Sequence, residues 1–333
     1  MAKRSSRSRA QASPKTMRAA AIDQFGDPDV LKIHELPVPE PGPTEVLIAV
    51  HTAGVGSWDA EMRGGWWPEP KRPPFPIVLG TDCSGTIAAV GSRVRRLAPG
   101  DKVYAYSFGN PKGGFYAEYA AVDAEHVSKV PEILTLKKAG AVAAIGLTAQ
   151  QGVEEVLKVK RGESVVIHGA SGGLGTLAVQ FAKARGARVM ATASGNDGMT
   201  LVRRVGADAV ADGRRDDLKA AAEEFAPEGV DAVLAFAGGK ELTRLLDAVR
   251  PGGRLVFPNG VEPAPRKRRG LSVESFDATP GVRELDRLGR ALTKARAEIR
   301  ITDEFPLEQA AKAHARVEEG HVLGKIVLRI RMR

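Results

Sequence analysis

The segment 163–194 constrains the chain most, because it reads as a strand, a glycine-rich turn, a helix and a second strand in direct succession. Ser164–His168 has the apolar run of a buried strand, and Gly169-Ala170-Ser171-Gly172-Gly173-Leu174-Gly175 follows it at once. Leu174, Leu177, Ala178, Phe181 and Ala182 then lay an apolar stripe along a helix, and Arg188–Ala193 supplies the next strand. Such a turn leaves backbone N–H groups and the positive end of a helix pointing at one spot, which favours an anion. Within a strand–helix–strand frame that anion is a dinucleotide pyrophosphate, approached closely at Gly172 and Gly173, while Gly175 lets helix and strand pack together. Ala170 stands where the G-x-G-x-x-G pattern has glycine, so the motif is a variant. The structural alternative is a tight strand-to-helix turn that binds nothing.

The second strand runs into Ser194, Gly195 and Asn196 rather than into an acidic residue. A carboxylate there would accept a hydrogen bond from a free ribose 2′-hydroxyl, whereas small polar groups leave room for a 2′-phosphate. NADPH is therefore the expected cofactor. NADH stays open, since Asp197 is close by and Arg203 and Arg204 lie a helix turn or more away.

From residue 17 to 134 short β-rich runs such as Val46–His51, Ile77–Leu79, Thr86–Val90 and Lys102–Tyr106 alternate with Gly and Pro, which predicts a mostly β domain. Beyond residue 135 strands and helices alternate, which predicts a doubly wound parallel sheet over 135–276. A helix at Val282–Ala297, another at Leu307–Glu319 and a closing strand at Lys325–Ile330 are expected to return segment 277–333 to the β-rich domain.

Composition narrows the classes. A chain of 333 residues with 43% hydrophobic residues is long enough for two cores. Cys83 is the only cysteine, which excludes an intrachain disulfide and any zinc site built on several thiolates. The formal charge of +9 is concentrated in two places. Lys3, Arg4, Arg7, Arg9 and Lys15 lie in segment 1–16, which reads as a disordered basic tail, and Arg266 to Arg269 form a solvated loop. A nucleic-acid partner is accordingly not expected. No apolar run is long enough for a membrane span or a signal-peptide core, so the expected location is cytoplasmic.

Ordered along the chain stand Gly42-Pro43 with Glu45-Val46-Leu47-Ile48, Leu79 to Gly85, Val90-Gly91-Ser92, Pro99 to Val103, Gly114 to Tyr119, Gly146 to Ala149, the glycine turn, Gly206-Ala207-Asp208, Pro251 to Val256, and Gly324 to Val327. In these stretches the sequence from Met17 to Ile330 resembles the medium-chain dehydrogenase/reductase superfamily, and within it the zinc-free quinone oxidoreductase branch. The resemblance implies an α/β fold with a GroES-like β-rich catalytic domain and a doubly wound Rossmann nucleotide-binding domain, and it implies a homodimer with Leu271–Phe276 as the pairing edge. Relatives that hold a catalytic zinc do so with a cysteine and a histidine. In this chain Gly56 or Ser57 and Thr81 occupy those positions, and Asp82 replaces a glutamate, so no metal is expected.

A quinone, enone or enal takes hydride at a conjugated carbon and moves the charge onto oxygen, so the protein must hold donor and acceptor and offer that oxygen a hydrogen bond. The resemblance places Thr148 by the nicotinamide amide and Gly169, Ala170, Ser171, Gly172, Gly173 and Leu174 around the pyrophosphate. It places Ser194 and Asn196 at the adenosine ribose, and Phe236, Ala237, Gly238, Asn259 and Gly260 at the nicotinamide ribose. Thr148 as a helix cap and Asn259-Gly260 as a turn pair are the plain alternatives. Gly56-Ser57-Trp58-Asp59 aligns with the family's Asn-Pro-Val-Asp-like segment; Asp59 matches and the asparagine is replaced by Gly56. Arg63 is placed to steady an oxyanion and Trp66 and Trp67 to stack on a flat substrate, or else Arg63 pairs with Glu61 or Asp59 and one tryptophan anchors the loop. An enoyl-thioester reductase and a nucleotide-dependent RNA-binding protein are the competing expectations.

Overall fold

A computed structural model of the chain describes residues 14–67, 72 and 74–331. The N-terminal half carries β1 (Thr16–Ile22), β2 (Lys32–Pro37), β3 (Glu45–Val55), β4 (Ile77–Val78), β5 (Asp82–Val90), β6 (Lys102–Tyr106), β7 (Tyr119–Asp123) and β8 (Val127–Lys129), with α1 (Ser57–Arg63) after β3. The centre runs α2 (Leu136–Ala139), α3 (Ala143–Gln151), β9 (Ser164–His168), α4 (Gly173–Ala184), β10 (Arg188–Ala193), α5 (Gly195–Arg204), β11 (Ala209–Asp212), α6 (Leu218–Phe225), β12 (Val230–Ala235), α7 (Lys240–Leu245), β13 (Val249–Pro258) and β14 (Ser272–Phe276). The chain closes with α8 (Val282–Ala295), β15 (Ile301–Pro306), α9 (Ala310–Glu318) and β16 (Lys325–Arg329).

β9 to β14 form one parallel sheet in the order β11-β10-β9-β12-β13-β14. All five residues of β9 are buried, as a parallel strand covered on both faces requires. Alternate side chains feed opposite layers: Val165 and Ile167 join the core beneath α4 and α8, while Val166 joins the core beneath α6 and α7. On α4, Leu177, Ala178, Phe181 and Ala182 face that first core, each large side chain contributing about 2 kcal/mol through burial. The strand order reverses between β9 and β12, the crevice where doubly wound sheets bind ligands.

The other domain is a β-rich body in which β15-β16-β3-β5-β6-β8 pair in that order, β7 adds to β3, and β2-β1-β4 form a small separate sheet. The long central strand β3 pairs with β5, β7 and β16, so the chain's end is stitched to its beginning.

Leu285, Leu288, Ala291 and Leu292 of α8 are buried in a core that also takes in Tyr104 and Leu134 of the β-rich half, and α8 is bonded to that half through Tyr104 to the Leu285 carbonyl, so this helix packs against both domains. Pro251-Gly252-Gly253 lies inside β13, where the register against β12 shifts. The tail expected over 1–16 falls outside the described residues up to residue 13, and Thr16 already pairs with Pro37. Among the described residues no helix is long and apolar enough to cross a membrane.

Candidate active site

The glycine turn is held to the neighbouring strand by backbone bonds. Gly169, at φ +76°, reverses the chain after β9. Its N–H donates to Thr192 Oγ1 at 3.0 Å, and the Ala170 N–H donates to the Thr192 carbonyl at 2.8 Å. Thr192 Oγ1 also lies 2.9 Å from His168 Nδ1, and burial presses the His168 pKa down to about 4, so this histidine is a neutral part of the frame. A Cβ on Gly175 would fall 2.5 Å from Ala170 Cα, which shows how closely α4 approaches β9. Around Gly172 there is open space within 4 Å, as an approaching ligand requires. Gly173 serves differently from expectation: a Cβ there would meet the Gly324 carbonyl at 2.9 Å, so the missing side chain lets the β-rich domain approach the turn. Ala170 is fully buried beneath the turn, whereas Ser171 and Leu174 are half-buried at its surface.

Ser194 and Asn196 sit at the carboxyl end of β10, half-buried and exposed respectively, and the Ser194 side chain makes no cap bond to α5. Strand pairing brings in a cation that sequence spacing hid. Ala193 is the register partner of Asp212, and the Gly213 N–H donates to the Ala193 carbonyl at 2.8 Å, so exposed Arg214 shares the sheet edge with Ser194. Arg204 is paired instead with Glu298 at 2.5 Å. His321, from the turn before β16, places Nε2 3.0 Å from Asp197 Oδ2 and so reaches across from the β-rich domain.

Phe236, Ala237 and Gly238 continue from the end of β12, and the Phe236 N–H donates to the His168 carbonyl at 2.9 Å, which sets them beside Gly169. Exposed Asn259 donates through Nδ2 to Asp277 at 2.8 Å, and Gly260 completes the turn at φ +88°. Thr148 stands inside α3, where its hydroxyl donates to the Ala144 carbonyl at 3.2 Å; it caps no helix. Most of the expected cofactor-side residues thus gather at the carboxyl ends of β9, β10, β12 and β13.

The opposing wall is built on α1 and β5. Asp59 is wholly buried and accepts the Gly56 N–H at 2.8 Å, so it caps α1 from within. Burial pushes its pKa up to about 7 against the pull of Lys325. Asp82, equally buried and also pushed up by burial, accepts the Ala144 N–H at 3.3 Å from the nucleotide domain. The Oδ1 atoms of both carboxyls have no hydrogen-bond partner among the described residues. Buried Lys325 lies 5.6 Å from the Trp58 ring centre, and the Trp58 N–H donates to Thr81 Oγ1 at 2.9 Å.

Arg63 is not at the cleft. Its Nε donates to the Gly26 carbonyl at 2.9 Å, one terminal nitrogen to His314 Nδ1 at 3.2 Å and the other to Glu318 at 2.5 Å. The guanidinium is consumed in tying α1 to α9, and its partners are neither Glu61 nor Asp59. His314, which no sequence pattern had marked, is held neutral with a pKa near 3, chiefly by burial and also by Arg63, and its Nε2 lies 3.2 Å from the Tyr116 hydroxyl. Trp67 packs partly into the β-rich core, while half-exposed Trp66 meets Phe108 with ring centres 5.8 Å apart. Cys83 is fully buried and its thiol is pushed far up by burial, which removes it as a nucleophile.

Comparison with known proteins fits this architecture. Residues 42–132 match the family described as "Alcohol dehydrogenase GroES-like domain", and residues 205–328 match "Zinc-binding dehydrogenase". Human quinone oxidoreductase is 32% identical over 330 residues, covering 94% of this chain and 98% of that protein. The chain belongs to the medium-chain dehydrogenase/reductase superfamily. Within it the chain is an oxidoreductase of the quinone oxidoreductase branch. Among solved structures, an NAD-dependent alcohol dehydrogenase superposes with a TM-score of 0.87 at 31% identity, covering 95% of this chain and 100% of that one. A mycobacterial protein solved in complex with NADPH superposes with a TM-score of 0.82 at 28% identity, covering 94% and 100%.

Proposed function

We propose that this oxidoreductase takes hydride from NADPH and passes it to a quinone or an α,β-unsaturated carbonyl without zinc. The observation that carries the proposal is the meeting of two features at one crevice. The turn at Gly169–Gly175 is open at Gly172, and the next strand ends in uncharged Ser194 and Asn196 with Arg214 on the same sheet edge. A pyrophosphate fits the first and a 2′-phosphate the second. The NADPH-bound mycobacterial relative and the quinone oxidoreductases among the relatives support the same choice.

Hydride donation is the chemistry the nicotinamide supplies when bound. The chain's own contribution is geometry and exclusion of water. Phe236 to Gly238, Asn259 and Gly260 border the nicotinamide ribose, Thr148 contacts the amide, and the wall of Trp58 and Thr81 faces them. The donor set of that wall suits a metal poorly, because an ammonium, Lys325, shares it with the two buried carboxyls. β14 ends the nucleotide sheet with one ladder edge unpaired in the chain, and we assign it as the edge that pairs two copies in a homodimer.

Absorbance assays of NADPH and NADH oxidation against a panel of quinones, enones and enals test the proposal. Turnover with conjugated acceptors, a higher kcat/KM for NADPH than for NADH, and full activity in zinc-free protein are expected. Absence of turnover across the panel would overturn the substrate class, and a preference for NADH would overturn the cofactor assignment.

A further inference from the structure

We propose that the Tyr106 hydroxyl is the hydrogen-bond donor that receives the negative charge developing on the acceptor's oxygen. The inference rests on the hydride-transfer function proposed above. Tyr106 ends β6 and is the register partner of Asp82 on β5, so the two side chains leave the same face of the sheet. That face looks toward the nucleotide domain. Asp82 accepts the Ala144 N–H in the first turn of α3, and Thr148 stands one turn further along the same helix. Tyr104, two residues before Tyr106 and on its face, is buried in the nucleotide domain's core, against which Tyr106 and Trp58 also pack. Asp82, Asp59 and Asp277, the last accepting from Asn259 at 2.8 Å, are all near enough to act on the same hydroxyl. The Tyr106 hydroxyl therefore lies between the wall of α1 and β5 and the edge assigned to the nicotinamide ribose.

A comparison of three tyrosines sharpens the assignment. Buried phenols find partners. Tyr104 does, donating to the Leu285 carbonyl at 2.5 Å, and Tyr116 does, at 3.2 Å from His314 Nε2. Among the described residues the Tyr106 hydroxyl is given no hydrogen bond, and its side chain is only half-buried. Its donor is unspent at the place where an acceptor oxygen would arrive.

Burial and the three nearby carboxyls push the Tyr106 pKa well up, so the phenol keeps its proton. It acts as a donor and not as an acid. As hydride adds to the conjugated carbon, a C–H bond forms and the π pair moves to the carbonyl oxygen, where the Tyr106 O–H meets it. The proton that completes the reduced product comes from water, and the tyrosine is left unchanged.

Tyr106→Phe tests this directly. Removal of one oxyanion donor is expected to lower kcat for an enone by about 30-fold, with a smaller loss for a quinone, whose charge is spread over the ring. KM and the NADPH dissociation constant, read by fluorescence titration, should stay within about twofold, as for loss of a contact made only in the transition state. A second variant with 4-aminophenylalanine at position 106 restores an N–H donor and should recover most of the enone rate. Wild-type enone turnover in Tyr106→Phe, or equal losses for both acceptors together with weakened NADPH binding, would overturn the assignment. Wild-type protein inactive on every acceptor would instead defeat the proposed function and this donor with it.

Discussion

The glycine turn after β9 and the polar cluster beneath α1 face each other across the cleft, and they are made in opposite ways. The turn is a backbone device. Its residues are contiguous, its bonds run from main-chain N–H groups to Thr192, and space is left open at Gly172. The cluster is a side-chain device. Asp59, Asp82, Tyr116, His314 and Lys325 arrive from five separate elements or loops, all are buried, and two carboxyl oxygens have no partner among the described residues. A site of the first kind tolerates change at its open positions and fails at its close contacts. In a site of the second kind, each group holds another's charge or proton in place, so loss of one is felt by the rest.

The largest effect that separates them lies within the turn itself. Gly175→Val would push a branched side chain onto Ala170 Cα at 2.5 Å and the Gly169 carbonyl at 2.7 Å, both of them backbone atoms. A destabilisation of about 4 kcal/mol or more, with loss of NADPH binding, is expected from chemical denaturation and titration. Gly172→Ala, with nothing within 4 Å, should fold as the wild type does and weaken NADPH alone. Wild-type NADPH affinity in Gly175→Val would break the comparison at its root.

Next comes the cluster's anchor. Arg63→Met leaves the Gly26 carbonyl, Glu318 and His314 without their donor, and a loss of about 3 kcal/mol is expected, as when one partner of a buried pair is removed. Turnover per folded molecule should be unchanged, because the guanidinium's donors are committed to Gly26, His314 and Glu318. A tenfold fall in kcat with stability intact would restore Arg63 to the oxyanion role that its sequence position suggested.

Asp59 yields a smaller effect with a definite sign. Its folded pKa of about 7 lies above the ordinary aspartate value, so between about pH 4 and pH 7 the unfolded chain has released a proton that the folded chain retains. Wild-type stability should therefore fall as pH rises through that window and level off above it, whereas Asp59→Asn should lack this slope. At about 1.4 kcal/mol per pH unit the full difference is about 4 kcal/mol, and relaxation around the charge reduces the expectation to about 2 kcal/mol. Parallel denaturation curves for the two proteins at pH 5 and pH 8 check it; an unchanged difference would show that Asp59 is ionised throughout.

The contrast also explains what could be read from the sequence. The turn, its strand and its helix were legible because a doubly wound unit writes them as neighbours, with glycine where backbone must approach backbone. The uncharged end of β10 was legible at Ser194, but the place of Arg214 beside it was not, because it arrives by pairing of β10 with β11. Asp59 was found by alignment with a family segment, yet its burial was not, since nothing in Gly56–Asp59 announces that Asp82, Lys325 and Tyr116 will enclose it. The side-chain partners of Arg63 were sought at Glu61 or Asp59 and missed because they lie more than 250 residues away, at positions 314 and 318. What α8 packs against was hidden for a related reason: its stripe of Leu285, Leu288 and Leu292 specifies a buried face without naming the core that buries it.

The mildest prediction concerns an ion pair that joins the two sides. Asp197 and His321 meet at 3.0 Å across the domains, and the pairing holds the Asp197 carboxyl below the usual carboxylate range. Both groups are well exposed, so the bond itself adds little to stability, and Asp197→Asn should melt with the wild type. Its consequence is electrostatic. Asp197 stands in the first turn of α5, just beyond Ser194 and Asn196, where the 2′-phosphate of NADPH is proposed to lie. Removing that negative charge relieves one screened repulsion and frees His321, so NADPH should bind about threefold more tightly while NADH is unaffected. The gain should shrink with added salt, as an interaction between exposed charges must. Equal tightening of both cofactors would place Asp197 near the shared pyrophosphate instead, and no change in either would remove the 2′-phosphate from this end of β10.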